Sequence, residues 1–134
     1  MPINSRSKGR NGEYEAQRWL QKILKLDYLP ERNLEQVRSG GYDLYAAPFL
    51  VEVKRCEVLE FRAWWKQITD AAALYTDVIP IVLFRQNRQP WRILISASNI
   101  GLESGFVLLD KPEAKRWLVT QYQKMLVGLE SSDT

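Results

Sequence analysis

The chain contains no histidine and a single cysteine among its 134 residues. Mechanisms that need an imidazole are thereby excluded: Ser-His-Asp hydrolysis, histidine-ligated metal nucleases and histidine relays. One thiol, Cys56, can build neither a zinc site nor an internal disulfide. With no histidine to activate it, Cys56 is expected to be a small packing residue at a strand end and not a nucleophile. No apolar run approaches the ~18 residues of a membrane-spanning helix. The N-terminus is charged but lacks the apolar stretch of a secretory signal, so an intracellular protein is expected. Carboxylate, lysine and metal are the chemistry left over.

What is present argues for one packed globule. The hydrophobic fraction is 46%, and five tryptophans occur in a chain of single-domain length. A net charge of +3 is only mildly basic, so the placement of charge says more than its sum. The most telling placement lies in Ser39-Gly40-Gly41-Tyr42-Asp43-Leu44, followed by Phe49-Leu50-Val51-Glu52-Val53-Lys54. Two apolar, strand-like runs meet at Ala47-Pro48, and each carries a carboxylate. Strand side chains alternate, so Glu52 and Lys54 share a face and Val51 and Val53 take the other. Pairing of the runs as a hairpin would bring Asp43 beside Glu52. Burying two acids and a lysine together is costly unless they pair or hold a cation. A divalent metal on Asp43 and Glu52 with an ammonium beside it satisfies that demand, and the set suits phosphodiester hydrolysis. Mg²⁺ is the expected ion, with Mn²⁺ substituting, and no small-molecule organic cofactor is expected.

These residues resemble the signature of the PD-(D/E)XK nuclease superfamily, with Asp43 as its first acid and Glu52-Val53-Lys54 as its E-x-K. More narrowly, the chain resembles small archaeal and phage Holliday junction resolvases and virus-type replication-repair nucleases. Lys8-Gly9-Arg10-Asn11-Gly12-Glu13-Tyr14-Glu15 is similar to their opening helix, with Glu13 as the counterpart of its glutamate. Glu31-Arg32-Asn33-Leu34 resembles their arginine-containing strand, and Gln67 their early glutamine on the following helix. Tyr42 stands where the family name has proline, and Ala71 where the helicase-fused branch has tyrosine. The resemblance covers roughly residues 8 to 85. It implies an α/β restriction-endonuclease-like fold: a central mixed sheet flanked by helices, with an αβββαβ core plus a C-terminal strand and helix. It also implies that Asp43, Glu52 and Glu13 hold metal, that Lys54 supports the nucleophile or transition state, and that Gln67 orients it. The implied activity is DNA endonuclease, by preference on branched DNA, as a homodimer presenting two sites. The alternatives are a repair or restriction nuclease on duplex, nicked or flap DNA, and a non-catalytic nucleic-acid-binding module.

The remaining expectations concern organisation. Residues 1–10 read as a flexible basic arm, 11–128 as the single domain and 129–134 as a polar, fraying tail. Arg6, Lys8 and Arg10 on the arm, with Arg32, Arg38, Arg55 and Arg88, are the candidate nucleic-acid contacts. Arg85 and Arg92 join Arg88 around the turn at Gln86-Asn87-Arg88-Gln89-Pro90. Helices are expected near 11–26, over the stripe Phe61, Trp64, Ile68, Ala72, Tyr75, and from a capping box at Asp110 to about Val127. Strands are expected near 32–37, 42–46, 49–55, 78–84, 91–95 and 105–109. The aromatic content exceeds what one core of this size hides, which points to Trp65 or the Trp117–Tyr122 region as a dimer surface.

Overall fold

The computed structural model describes residues 5–34 and 41–132. Helix α1 (Ser5–Leu24) leads through the short β1 (Glu31–Arg32) to a hairpin of β2 (Leu44–Ala46) and β3 (Phe49–Arg55). Helix α2 (Phe61–Ala72) crosses to β4 (Ile79–Arg85), and β5 (Arg92–Ser96) returns beside it. A 3₁₀ turn (Ala97–Ile100), β6 (Phe106–Leu109) and α3 (Lys111–Ser132) complete the chain. The six strands form one sheet in sequence order, with only β3 and β4 parallel. A parallel pair needs a crossover, and α2 supplies it. The result is an α/β protein with a mixed sheet between helices.

Alternation along the strands divides the interior in two. Phe49, Val51, Ile81, Leu83, Ile93 and Ile95 point toward α1 and α3, where Leu20, Leu24, Ala114 and Leu118 meet them. Leu50, Val82, Phe84 and Leu94 point the other way, onto Trp64, Ile68 and Ala71 of α2. The near-continuous apolar runs of β4 and β5 follow from burial on both faces.

Several sequence-based boundaries move. Helix α1 begins at Ser5, ahead of the expected residue 11, so residues 5–10 of the expected arm belong to its backbone. Helix α3 continues through Ser132, past Val127 and into the expected tail. On α2 the buried set is Trp64, Ile68 and Ala71; the helix ends at Ala72, and Tyr75 beyond it is exposed. The five tryptophans all find a core, while Tyr14, Tyr28 and Tyr75 stay 53%, 47% and 46% exposed. Trp64 and Trp91 are buried, while Trp19 and Trp117 pack on one core and Trp65 on the other. Trp65 lies against Phe106 with ring centroids 6.0 Å apart, and Trp117 against Phe49 at 5.8 Å. A sheet lined on both faces has two cores, and between them they accommodate rings that a single core would leave outside.

Among the described residues no helix is long and apolar enough to cross a membrane.

Candidate active site

The two-residue Ala47-Pro48 link sets the register of the β2–β3 hairpin. Leu44 pairs with Val51, and the Asp43 amide donates to the Val51 carbonyl at 2.8 Å, so the next rung places Asp43 opposite Glu52. Cross-strand partners share a face. Here that face is the α2 side, because Leu44 and Val51 belong to the other core. Asp43 is 3% exposed and Glu52 2%. The Val53 amide donates to Asp43 Oδ2 at 2.7 Å, fixing the first acid against the second strand. Asn33 reinforces the approach: its amide donates to the Asp43 carbonyl at 2.9 Å, and its side-chain Nδ2 to the Tyr42 carbonyl at 3.0 Å.

Lys54 Nζ stands 3.2 Å from Glu52 Oε1 and donates to Gln67 Oε1 at 3.3 Å. The glutamine comes from α2, so the crossover helix aims the ammonium. Glu52 Oε2, by contrast, is buried without a hydrogen-bond partner among the described residues. Burial is the largest cause of the rise in the Glu52 carboxyl from its ordinary 4.5 to about 8; the charge of Asp43 adds to it and Lys54 opposes it. A protonated Glu52 can also donate to Asp43, which raises it further. Glu13 approaches from α1. Its carboxyl is likewise raised, first by burial and then by Asp43, while Arg32 pulls it down. Arg32 Nε donates to Glu13 Oε2 at 2.8 Å and its Nη2 lies 2.6 Å from the same oxygen. Three carboxyls and one lysine therefore gather around the β2–β3 hairpin.

The sequence-predicted residues divide into two groups. Asp43, Glu52, Lys54, Gln67 and Glu13 come together. Among the expected nucleic-acid contacts whose side chains are described, Arg32 and Arg55 have carboxylate partners and Arg88 stands exposed. Arg32 is engaged by Glu13. Arg55 faces Glu15 at 3.6 Å and donates to Asn87 Oδ1 at 3.0 Å, so it braces the α1 side of the sheet. Arg85 pairs with the same Glu15 carboxylate and donates to the Gln89 carbonyl at 2.6 Å. Arg92 lies over the Phe84 ring, 4.8 Å from its centroid. Arg88 is exposed at the turn with a left-handed φ of 63°. Arg38, and the side chains of Arg6, Lys8 and Arg10, lie outside the described residues. Cys56 packs beside the α2-side core, as expected of a structural thiol. Sequence reasoning missed Asn33 and Glu15. The first had a signal in its place beside Arg32; the second had none, because its partners lie far along the chain.

The donor chemistry fits a divalent cation. Mg²⁺ takes one or two protein carboxylates and keeps its waters. Asp43 and Glu52 are such a pair, and a cation would satisfy the Glu52 oxygen that lacks a hydrogen-bond partner among the described residues. Glu13 is the third carboxyl nearby, although among the described residues no group of three or more Cys, Asp or Glu side chains has the geometry to hold a metal ion.

No protein-family model, curated protein or solved structure gives a significant match to the chain. The functional reading therefore stands on the site itself.

Proposed function

We propose that the protein is a Mg²⁺-dependent DNA endonuclease with a restriction-endonuclease-like fold, of the PD-(D/E)XK superfamily that its sequence resembles. The observation that carries this reading is the hairpin rung pairing Asp43 with Glu52, with Lys54 on the same face and held by Gln67. Two buried acids that repel each other burden the fold, and a structural ion pair would need only one. A site for a cation and a phosphate explains both.

Asp43 and Glu52 would hold the ion, with Glu13 contributing directly or through a water once Arg32 gives way. The bound ion would supply Lewis acidity toward the phosphoryl oxygen and a lowered pKa for its water. Lys54 places a positive charge beside the carboxylates, where it can stabilise charge developing on a phosphorane. Gln67 restricts where that ammonium points, and positional restriction is what makes such a charge effective. The Val53 amide keeps Asp43 oriented against the second strand. The preferred substrate is branched DNA, a four-way junction above all. Symmetric cutting of a junction takes two sites, so the reading carries a homodimer with it.

The test is cleavage of a four-way junction and its component duplexes with and without Mg²⁺. Mg²⁺-dependent cleavage that Asp43→Asn abolishes, with DNA binding retained, is the expected result. Turnover by Asp43→Asn at the wild-type rate refutes the site. Equal cleavage of duplex and junction refutes the substrate preference alone.

A further inference from the structure

A cavity of about 600 Å³ opens on the α1 side of the sheet, lined by Arg18, Lys22 and Lys25 of α1 and its end together with Arg85, Glu15 and Trp91. Lys54 and Glu52 face the opposite side of the sheet, toward α2, so this is not the acid site. Four cations meet one carboxylate in the lining, a surplus of three. Glu15 is already engaged by Arg55 and Arg85. Among the described residues no carboxylate pairs with Arg18, Lys22 or Lys25. Arg18 only donates to the Tyr14 hydroxyl, at 3.4 Å.

Spacing distinguishes the occupant. Arg18 and Lys22 stand at i and i+4 on one face of α1, and Lys25 follows just past the helix end with a left-handed φ of 53°, so three cations line the cleft in succession. Three cations without a carboxylate partner among the described residues outnumber the charge of a single phosphodiester. They match a run of successive phosphates along one DNA strand. We infer that this cleft is a second DNA-backbone site, gripping a duplex arm on the sheet face opposite the acids. The choice of DNA rests on the endonuclease reading. The two sites converge at the C-terminal ends of β3 and β4, where Arg55 pairs in register with Arg85 directly after Lys54. An arm held by α1 would thus be bent around that edge toward the acids. A branched substrate offers such a bend and a straight duplex does not.

The experiment measures binding of the full chain to a fluorescent four-way junction and to its duplex, by anisotropy in EDTA across a KCl series. Arg18→Gln/Lys22→Gln should weaken junction binding at least tenfold and flatten the salt slope by about 0.9 per lost phosphate contact, close to two in all. Its thermal unfolding should match the wild type, since neither side chain braces the fold. An unchanged slope overturns the inference, as does a wild type that binds no DNA. Displacement of the DNA by polyglutamate as readily as by unlabelled junction overturns it in favour of an acidic protein partner. Cleavage by the wild type together with an unchanged slope in the variant refutes the cleft and leaves the endonuclease reading standing. Binding that depends on the cleft, with no cleavage under any divalent cation, does the reverse.

Discussion

Glu52→Gln separates what this side chain costs the fold from what it does in the site. In the folded chain the Glu52 carboxyl is pushed up to about 8 from an ordinary 4.5, chiefly by burial and then by Asp43. Between those values the folded state holds a proton that the unfolded state has released. Stability from this group is therefore complete below the ordinary value and is lost as pH rises toward 8. The loss is at most about 1.4 kcal/mol per pH unit, or on the order of 5 kcal/mol over the whole interval. Glutamine carries no such proton and can donate its amide toward Asp43. Urea unfolding in EDTA, followed at several pH values from 5 to 9, should show the wild type losing stability relative to Glu52→Gln as pH rises. The variant should be the more stable protein at pH 8. Glu13 shifts in the same direction but is present in both proteins, so it cancels in the difference. Saturating Mg²⁺ at pH 8 should restore the wild type by mass action, by about 2.7 kcal/mol at a hundredfold excess over the dissociation constant, and restore the variant much less. Parallel pH curves for the two proteins would refute the buried acid pair.

Lys54→Ala should lower the cleavage rate by about 10² to 10³, the usual loss for a preorganised charge at a transition state. Gln67→Ala should cost about fivefold, the worth of one ordinary hydrogen bond, and single-turnover assays on the junction would show whether the order holds. Gly12→Ala would normally stabilise a helix by about 1 kcal/mol. Here an added Cβ would come within 2.8 Å of Arg55 Cβ, so α1 must back away from β3; calorimetry should find a lower melting temperature, and a higher one would refute this packing. Light scattering at micromolar concentration should give twice the 15.6 kDa chain mass, and a monomer that still makes paired cuts would refute the homodimer.

The hairpin was legible because it is local. A period of two, a short connection and acids at matching positions are all encoded within a dozen residues, and they define the Asp43–Glu52 rung without reference to the rest of the chain. The strands of the two-sided sheet were legible for a similar reason, since long β-branched runs leave few alternatives. The fate of the arginines was not. Whether Arg55 or Arg85 meets DNA or a carboxylate depends on where α1 lies across the sheet, and Glu15 is 70 positions from Arg85 in sequence. The same non-local packing decided which rings found a core, because counting aromatics says nothing of how many faces are available to cover them. The starting point of α1 lay beyond the apolar periodicity, which begins only where the helix touches the sheet.

The Glu15 clamp also bears on which alternative structures the chain avoids. β3 and β4 are parallel and apolar, and apolar ladders tolerate misalignment because one valine replaces another at little cost. A slip of one residue along β3 would nonetheless turn Glu52 and Lys54 toward α1 and put Val53 in their place. In the native alignment Arg55 and Arg85 stand side by side, two like charges that repel. Glu15 converts that repulsion into attraction only when both guanidiniums present themselves together. A carboxylate on one helix therefore acts as a proofreader of strand alignment. Its loss would do more harm to the uniqueness of the sheet than to its average strength.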